Sequence, residues 1–142
     1  MGKSLSFAVL LLSSAAAAQC LAAPGNLITV GQDSITGPNA IGFAFSIYGT
    51  TYTDIHVSGH GICFFSNGGV PAPPPATPLL YSPSSASLVA NGPVVCPFWS
   101  DTVPGAVGGI FIDAQATMCT ITWFDVQSYG YAQPLMSFQM KL

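Results

Sequence analysis

Thiols, imidazoles and carboxylates are the groups in this sequence that could carry chemistry. The two imidazoles are four residues apart, whereas the thiols and the carboxylates are spread along the chain. The groups belong to His56 and His60, to Cys20, Cys63, Cys96 and Cys119, and to Asp33, Asp54, Asp101, Asp113 and Asp125. A thiol beside an imidazole can act as a nucleophile with its base, and imidazoles grouped with thiols or carboxylates bind metal ions. Spacing and strand parity decide whether either arrangement forms.

Both histidines lie in an alternating stretch that runs from Gly49 to Phe65. Hydrophobic residues occupy one parity and polar residues the other, with Ile55, Val57, Cys63 and Phe65 set against His56, Ser58 and His60. Such alternation predicts a strand with one buried face, and Gly59 and Gly61 predict a bulge or a tight hairpin within it. We therefore expect the two histidines on an exposed polar face.

The spacing of these groups argues against a reactive centre. Imidazoles four residues apart on a strand are separated by roughly 13 Å, which is too far to chelate one metal ion. His60 and Cys63 fall on opposite strand faces with no third group to orient them, so a cysteine hydrolase is disfavoured. The aspartates follow no calcium-loop pattern, and Asp101 is expected to cap a turn. The sequence predicts no catalytic, cofactor-binding or metal-binding residue.

The composition excludes two classes of partner. Half of the residues are hydrophobic, 5% are charged, and there is no Arg and no Glu. Lys3 and Lys141 are the only basic residues besides the histidines. So few cations cannot neutralise a nucleic-acid backbone or hold an anionic lipid surface. With so little charge the chain is expected to associate readily.

The first 23 residues have the pattern of a secretory signal peptide. Lys3 supplies a positive start, residues 5–12 an apolar run, and residues 15–23 a zone of small residues suited to cleavage. A membrane anchor would need a longer apolar run, and lipidation of Cys20 would need a small residue in place of Gln19. We expect a secreted domain over residues 24–142, with no integral membrane segment after cleavage.

Export to an oxidising compartment predicts a disulfide. By parity Cys63 shares the face of Val57 and Phe65, and Cys119 shares that of Ile121 and Trp123. Both thiols are therefore expected to point inward, which favours Cys63–Cys119 and leaves Cys96 buried and unreactive. Three cysteines allow three pairings, so the alternatives stay open.

The remaining chain predicts short strands joined by turns. Strand patterns occur near residues 27–30, 41–47, 94–101, 110–112, 118–126 and 136–142, and Gly31 to Ser34 is a polar turn. No helical period is sustained after Pro24, so the predicted fold is an all-β antiparallel β-sandwich. Trp99 and Trp123 are expected to be core residues from opposite sheets. Residues 67–93, which are rich in proline, predict a long surface loop rather than a ligand for a proline-binding domain.

Six short motifs resemble the nidogen-like extracellular domain, the NIDO family. They are Phe43-Ala44-Phe45 followed by Tyr48-Gly49-Thr50-Thr51-Tyr52-Thr53, then Val57 to Ile62 with Gly61, Pro97-Phe98-Trp99-Ser100-Asp101, Gly108 to Phe111, Ile121 to Val126 with Trp123, and Phe138-Gln139-Met140-Lys141-Leu142. They occur in the order typical of the family between residues 41 and 142. The resemblance gives the named positions a structural role and implies a non-catalytic module of adhesion, extracellular matrix or surface assembly.

Two features of the sequence depart from the family pattern. His60 stands where the family usually has Asn, and Asn tolerates a left-handed backbone better. Family members also continue past the Phe138–Leu142 motif, whereas this chain stops there, so the resemblance implies a fragment or an incomplete last sheet. The open edge of that last strand is expected to recruit extracellular proteins or a second copy of the chain.

Two other functions remain open. A glycan-binding β-sandwich could stack sugars on Trp99, Trp123, Tyr129 and Tyr131, and an exposed aromatic platform beside Asp or Asn would favour it. An exported hydrolase would need a polar cleft, which these residues do not assemble.

Overall fold

The structure is a computed structural model that describes residues 21, 25–68, 84–90, 93–105, 108–131 and 134–142. In chain order its elements are β1 (Asn26–Ile28), β2 (Asn39–Ile47), β3 (Thr50–Val57), β4 (Cys63–Ser66), α1 (Ser85–Ala90), β5 (Val94–Val95), β6 (Thr102–Val103), β7 (Gly109–Ala114), β8 (Cys119–Ser128) and β9 (Leu135–Lys141). All strand pairs are antiparallel. The predicted all-β sandwich is confirmed.

The strands form two sheets. The four-stranded sheet has the order β2-β3-β4-β5, and the five-stranded sheet has the order β1-β7-β8-β6 with β9 also paired to β8. β8 is central because β7 and β6 follow each other along one of its sides while β9 occupies the other. In the described part of the chain β1, β6 and β9 each pair with one strand only, so each of them has an unpaired side.

The hairpin between β2 and β3 turns through two residues, Tyr48 and Gly49. Both have positive φ, 50° and 78°, which is the backbone of the turn that matches the twist of paired strands. Gly49 adopts it without strain, whereas Tyr48 does so at a cost. β3 begins directly after this turn, at Thr50, and the Tyr52 ring packs 5.7 Å from that of Phe65.

A single hydrophobic cluster lies between the sheets. The four-stranded sheet contributes buried side chains from β2, β3 and β4, and the five-stranded sheet contributes them from β7, β8 and β9; they are Ile41, Ile55, Val57, Cys63, Phe65, Ile110, Ile112, Cys119, Ile121, Trp123, Val126 and Met140. Burial of each large apolar side chain contributes about 1.5–3 kcal/mol before entropy is counted. The core therefore consists of side chains from the strand faces that alternation predicted to point inward.

The prediction for residues 94–101 was wrong in part. Only Val94 and Val95 form a strand there, and Phe98 is exposed on the connection to β6. Trp123 is fully buried on β8, but Trp99 is half-buried on that connection and not a core residue of the opposite sheet. Pro97 interrupts strand pairing because it has no backbone donor.

The structure bears on the proline-rich loop only at its ends. Residues 69–83 and 91–92 of this loop lie outside the described residues. The predicted signal peptide also lies outside them, apart from Leu21. The loop prediction missed α1, which begins just after Pro83, where backbone donors return and Leu88 N–H bonds the Ser84 carbonyl. Among the described residues no helix is long and apolar enough to span a bilayer.

Candidate functional site

The polar face of the β3–β4 hairpin is covered by the segment from Gly31 to Pro38. Thr36 N–H donates to the Val57 carbonyl, and Gly59 N–H donates to the Ser34 carbonyl. Ile35 forms an isolated bridge with Ser58. This cover buries both histidines, so the prediction that they are exposed was wrong. Alternation along one strand shows that two faces differ, but it cannot show that a distant segment covers the second face.

Both ring nitrogens of His56 have hydrogen-bond partners. Its Nδ1 lies 3.1 Å from the Thr36 carbonyl and its Nε2 lies 2.8 Å from Ser66 Oγ. A carbonyl can only accept, so Nδ1 carries a proton and donates it to Thr36, while Nε2 pairs with the Ser66 hydroxyl. The imidazole thus ties the covering segment to β4.

His60 differs in that its Nδ1 carries no proton. The backbone N–H of Thr102 donates to Nδ1 over 3.1 Å, so Nδ1 holds a lone pair and Nε2 carries the proton. Nε2–H donates to Asp33 Oδ1 over 3.0 Å. The imidazole has no exposed surface. His60 therefore joins three segments that are distant in sequence: the polar turn at Asp33, the β3–β4 turn and the start of β6.

A second carboxylate meets the same imidazole. Asp101 Oδ1 lies 3.6 Å from His60 Nδ1, which is too long for a hydrogen bond. That oxygen is buried and has no hydrogen-bond partner. The side chain as a whole is 37% exposed, so its other atoms provide the exposed surface. Asp101 therefore presents one buried, unsatisfied acceptor beside an imidazole nitrogen that has no proton to give.

Asp33, His60 and Asp101 are the group that sequence reasoning missed. Each offers a metal-ligand atom, and these atoms lie within 4.8 Å of one another. The sequence signals were the polar turn at Gly31–Ser34 and the unusual His60, but neither says where the turn docks. Asp33 has a φ of 54°, a backbone that Asp tolerates better than most residues.

This geometry does not suit catalysis. A general base must reach a substrate proton, but His60 is wholly buried and both of its ring nitrogens are engaged. Cys63 lies in the core on the other strand face. The described residues therefore contain no nucleophile–base pair built on this histidine.

Four of the family-motif residues, Gly61, Phe98, Trp123 and Phe138, converge beside the His60 turn. Gly61 has a φ of 74°, and a Cβ there would lie 2.0 Å from the Phe98 carbonyl oxygen, so only glycine fits. The Phe98 ring lies 5.1 Å from that of Phe138, which stacks on Trp123 at 4.9 Å. Trp123 Nε1–H donates to the Ser58 carbonyl over 3.0 Å. The motifs therefore join the two sheets at one point.

Other residues singled out from the sequence are Gln139 and the aromatic residues considered for glycan stacking. Gln139 donates its side-chain amide to Thr122 Oγ1 over 2.8 Å, across β8 and β9. Of the aromatics considered for glycan stacking, Trp123 is buried and unavailable, whereas Tyr129 and Tyr131 are 56% and 69% exposed. Tyr129 N–H donates to the Asp101 carbonyl, so the backbones of these two residues are adjacent.

The described cysteines are free thiols with raised pKa values. Burial raises the pKa of Cys96 and of Cys119 to about 11, and the nearby charge of Asp113 adds to the rise at Cys119. Burial raises the pKa of Cys63 as well, with smaller contributions from Cys96 and Cys119. At neutral pH all three are protonated, which makes them poor nucleophiles.

We expect the reduced protein to lose stability in alkali. Cys96 and Cys119 each have a pKa of about 9 in the unfolded chain and about 11 in the folded one. Their contribution to the free energy of unfolding is therefore fully present below pH 9. That contribution disappears as the pH rises from 9 to 11, because the folded state must then bury thiolates. Denaturant midpoints of the reduced protein across this range should fall, and Cys96→Ala should fall less steeply. An unchanged midpoint up to pH 11 would contradict the expectation.

Comparison with known proteins gives one match. A sequence model of a family described as NIDO related matches residues 13–142. No curated protein and no solved structure gives a significant match.

Proposed function

The chain belongs to the NIDO-related family, and we propose that it is a secreted, non-catalytic module that acts in cell adhesion, extracellular matrix or surface assembly. Membership supports an extracellular module in general, and the assignment to adhesion or assembly is our proposal. The buried, engaged state of His60 agrees with a role that needs no catalysis.

The observation that carries the proposal is the free edge of β9. Within the described residues β9 pairs only with β8, so its other side presents backbone donors and acceptors. An unpaired edge is a template for a strand from another chain unless charge or proline blocks it. Lys141 is the only charged residue on β9.

The register shows which backbone groups are free. Leu142 and Cys119 exchange two backbone hydrogen bonds, of 2.9 and 3.3 Å. Bonded and non-bonded pairs alternate along an antiparallel ladder, so Lys141, which faces Thr120, belongs to a non-bonded pair. The Lys141 N–H therefore points away from β8, toward the position of an added strand.

Lys141→Pro is the experiment that tests the proposal. It removes the outward N–H without breaking the β8 ladder, whereas the control Lys141→Ala removes only the charge. Sedimentation at high micromolar concentration should show association of the wild type and of Lys141→Ala, and a shift toward monomer for Lys141→Pro. A monomeric wild type, or equal association of all three proteins, would contradict assembly through β9.

Glycan binding is the second candidate, and the exposed rings of Tyr129 and Tyr131 favour it, with the Asp101 backbone adjacent to that of Tyr129. Exposed aromatic rings stack on sugar faces while a neighbouring carboxylate accepts hydroxyl hydrogen bonds. Binding to a panel of oligosaccharides that is lost in Tyr129→Ala and Tyr131→Ala, with association unchanged, would favour this function over assembly.

We further propose a disulfide between Cys63 and Cys119 in the exported form. Both thiols lie in the core cluster, one on each sheet, so a bond would link the sheets covalently. Mass spectrometry of peptides from the non-reduced protein should find Cys63 joined to Cys119 and Cys96 alkylated. Three alkylated cysteines, or a Cys63–Cys96 peptide, would contradict this pairing.

A further inference from the structure

The apolar face of β9 and Leu142 is only partly covered. Met140 belongs to the buried core cluster, whereas Met136, Phe138 and Leu142 pack against that cluster and stay half-buried. Because β9 pairs only with β8 among the described residues, these side chains lie where the core meets an unpaired edge. A strand added at that edge would bury more of their apolar surface, which stabilises association.

The opposite face of β9 carries an exposed cation and borders a carboxylate. Ser137, Gln139 and Lys141 alternate with the apolar residues, and Lys141 is exposed. Ser137 Oγ accepts the Asp125 backbone N–H over 2.9 Å and donates to Asp125 Oδ1 over 3.0 Å, so this carboxylate is held beside Ser137. Neither Lys141 nor Asp125 forms an ion pair with another described residue. The edge therefore has a positive group at Lys141 and a negative group beside Ser137.

The pairing with β8 determines which backbone groups of β9 are free. Lys141 belongs to a non-bonded pair of this ladder, and because bonded and non-bonded pairs alternate, Gln139 belongs to one as well. Backbone groups also alternate in direction along a strand, so those of Ser137 point the same way. The N–H and carbonyl groups of these three residues therefore point away from β8, where an antiparallel strand can bond to them.

We propose that the added strand is β9 of a second copy of the chain, running antiparallel with Gln139 opposite Gln139 of the partner subunit. Ser137 then lies opposite the partner's Lys141, and Phe138 lies opposite the partner's Met140. Facing residues whose backbone groups are free on both strands exchange two hydrogen bonds, which applies to Ser137, Gln139 and Lys141. The proposal rests on the proposed assembly through β9 and names its partner.

The same register brings the opposite charges together. Lys141 lies opposite Ser137 of the partner subunit, beside which the partner's Asp125 is held. Ser137 is small and the lysine stem is flexible, so the ammonium can reach across it to that carboxylate. The twofold symmetry of such a pair repeats the contact, so each subunit contributes one cation and one anion.

Other pairings of this edge lose these contacts. A register centred on Lys141 would place two lysines face to face, and like charges directly opposite each other are destabilising. A register centred on Phe138 would place Lys141 opposite Leu135, away from the Asp125 carboxylate. β1 and β6 also have an unpaired side, but they contain only three and two residues, whereas β9 contains seven. The charges and the strand lengths therefore favour pairing of β9 with itself.

Single cysteines test the register. The Cα atoms of a bonded antiparallel pair lie about 5.5 Å apart, which suits a disulfide. Mild oxidation of Gln139→Cys should therefore give a covalent dimer, and mass spectrometry of its peptides should show position 139 linked to itself. Lys141→Cys is the matched control on the same strand face. Its two thiols would lie about 13 Å apart along the paired strands, so it should stay unlinked.

Charge reversal tests the ion pairs. Sedimentation should give Lys141→Asp a Kd at least about tenfold above that of Lys141→Ala, because each new carboxylate meets Asp125 of the partner subunit. Adding Asp125→Asn to Lys141→Asp should recover most of that loss, and Asn tolerates the φ of 48° at this position. Asp54→Asn, which removes a carboxylate on β3 of the other sheet, is the control and should recover nothing.

Failure of this register is distinguishable from failure of the proposed assembly. Association that is lost in Lys141→Pro, together with no link through Gln139→Cys or an equal link through Lys141→Cys, would overturn the register and leave assembly through β9 in place. Equal Kd values for Lys141→Asp and Lys141→Ala would overturn the register as well. A monomeric wild type would contradict both proposals.

Discussion

Replacing Trp123 with Ala is expected to destabilise the domain by about 3–5 kcal/mol, as deletions of large buried aromatics do. The indole has no exposed surface and stacks on Phe138 at 4.9 Å. Its N–H also satisfies the buried Ser58 carbonyl in the turn between β3 and β4. The substitution therefore leaves both a cavity and an unsatisfied acceptor. Chemical denaturation, followed by fluorescence and circular dichroism, measures the loss.

Trp99→Ala is the matched control for this prediction. Trp99 is half-buried on the connection between β5 and β6, so less apolar surface is lost than at Trp123. We expect a smaller destabilisation than for Trp123→Ala. Equal losses would show that the connection is as tightly packed as the core. A wild-type midpoint for Trp123→Ala together with lost glycan binding would instead favour the lectin function.

His60→Ala should destabilise the domain by about 2–5 kcal/mol. The Thr102 N–H loses its acceptor, Asp33 loses its donor and a fully buried side chain leaves a cavity. The free energy of unfolding from urea titration measures the effect. A loss below about 0.5 kcal/mol, which is typical of neutral surface positions, would show that the imidazole does not hold these segments together.

His60→Asn separates the hydrogen bonds from the turn. The resemblance to the NIDO family implies Asn here, but His60 itself does not have a positive φ, so Asn gains nothing from its tolerance of the left-handed backbone. Its short amide cannot reach both Asp33 and the Thr102 amide, so we expect a loss between zero and that of His60→Ala. A variant as stable as the wild type would mean that the turn, rather than the two hydrogen bonds, is the stabilising feature.

The sequence predicted the features that depend on neighbouring residues. Alternation in residues 50–57 and 119–126 places Ile55, Val57, Ile121 and Trp123 in the core, because strand parity is a local property. Tyr48-Gly49 likewise marks a turn whose geometry depends on two residues. These parts of the fold follow from short stretches of chain.

The features that sequence reasoning missed depend on distant residues. Asp33 meets His60 across 27 positions, and Thr102 meets it across 42. Alternation correctly separated His60 from the core face, yet the cover provided by residues 31–38 buries it. Trp99 was misplaced because a run of apolar residues does not reveal that pairing ends at Val95. The candidate site is therefore a property of the topology.

The pairing of β1 with β7 has a consequence for how quickly the domain can fold. Asn26, near the beginning of the described chain, pairs with Ile112. The Ser58 carbonyl accepts its hydrogen bond from the indole of Trp123, which lies 65 positions later in the sequence. Domains dominated by such distant pairings fold in roughly milliseconds to seconds, because the entropy of closing large loops is lost before the contacts form. A nascent chain that ends at residue 105 contains the His60 turn and β6, but it lacks β7, β8 and β9. The polypeptide emerging from the ribosome therefore has no complete five-stranded sheet until residues 109–141 have been made.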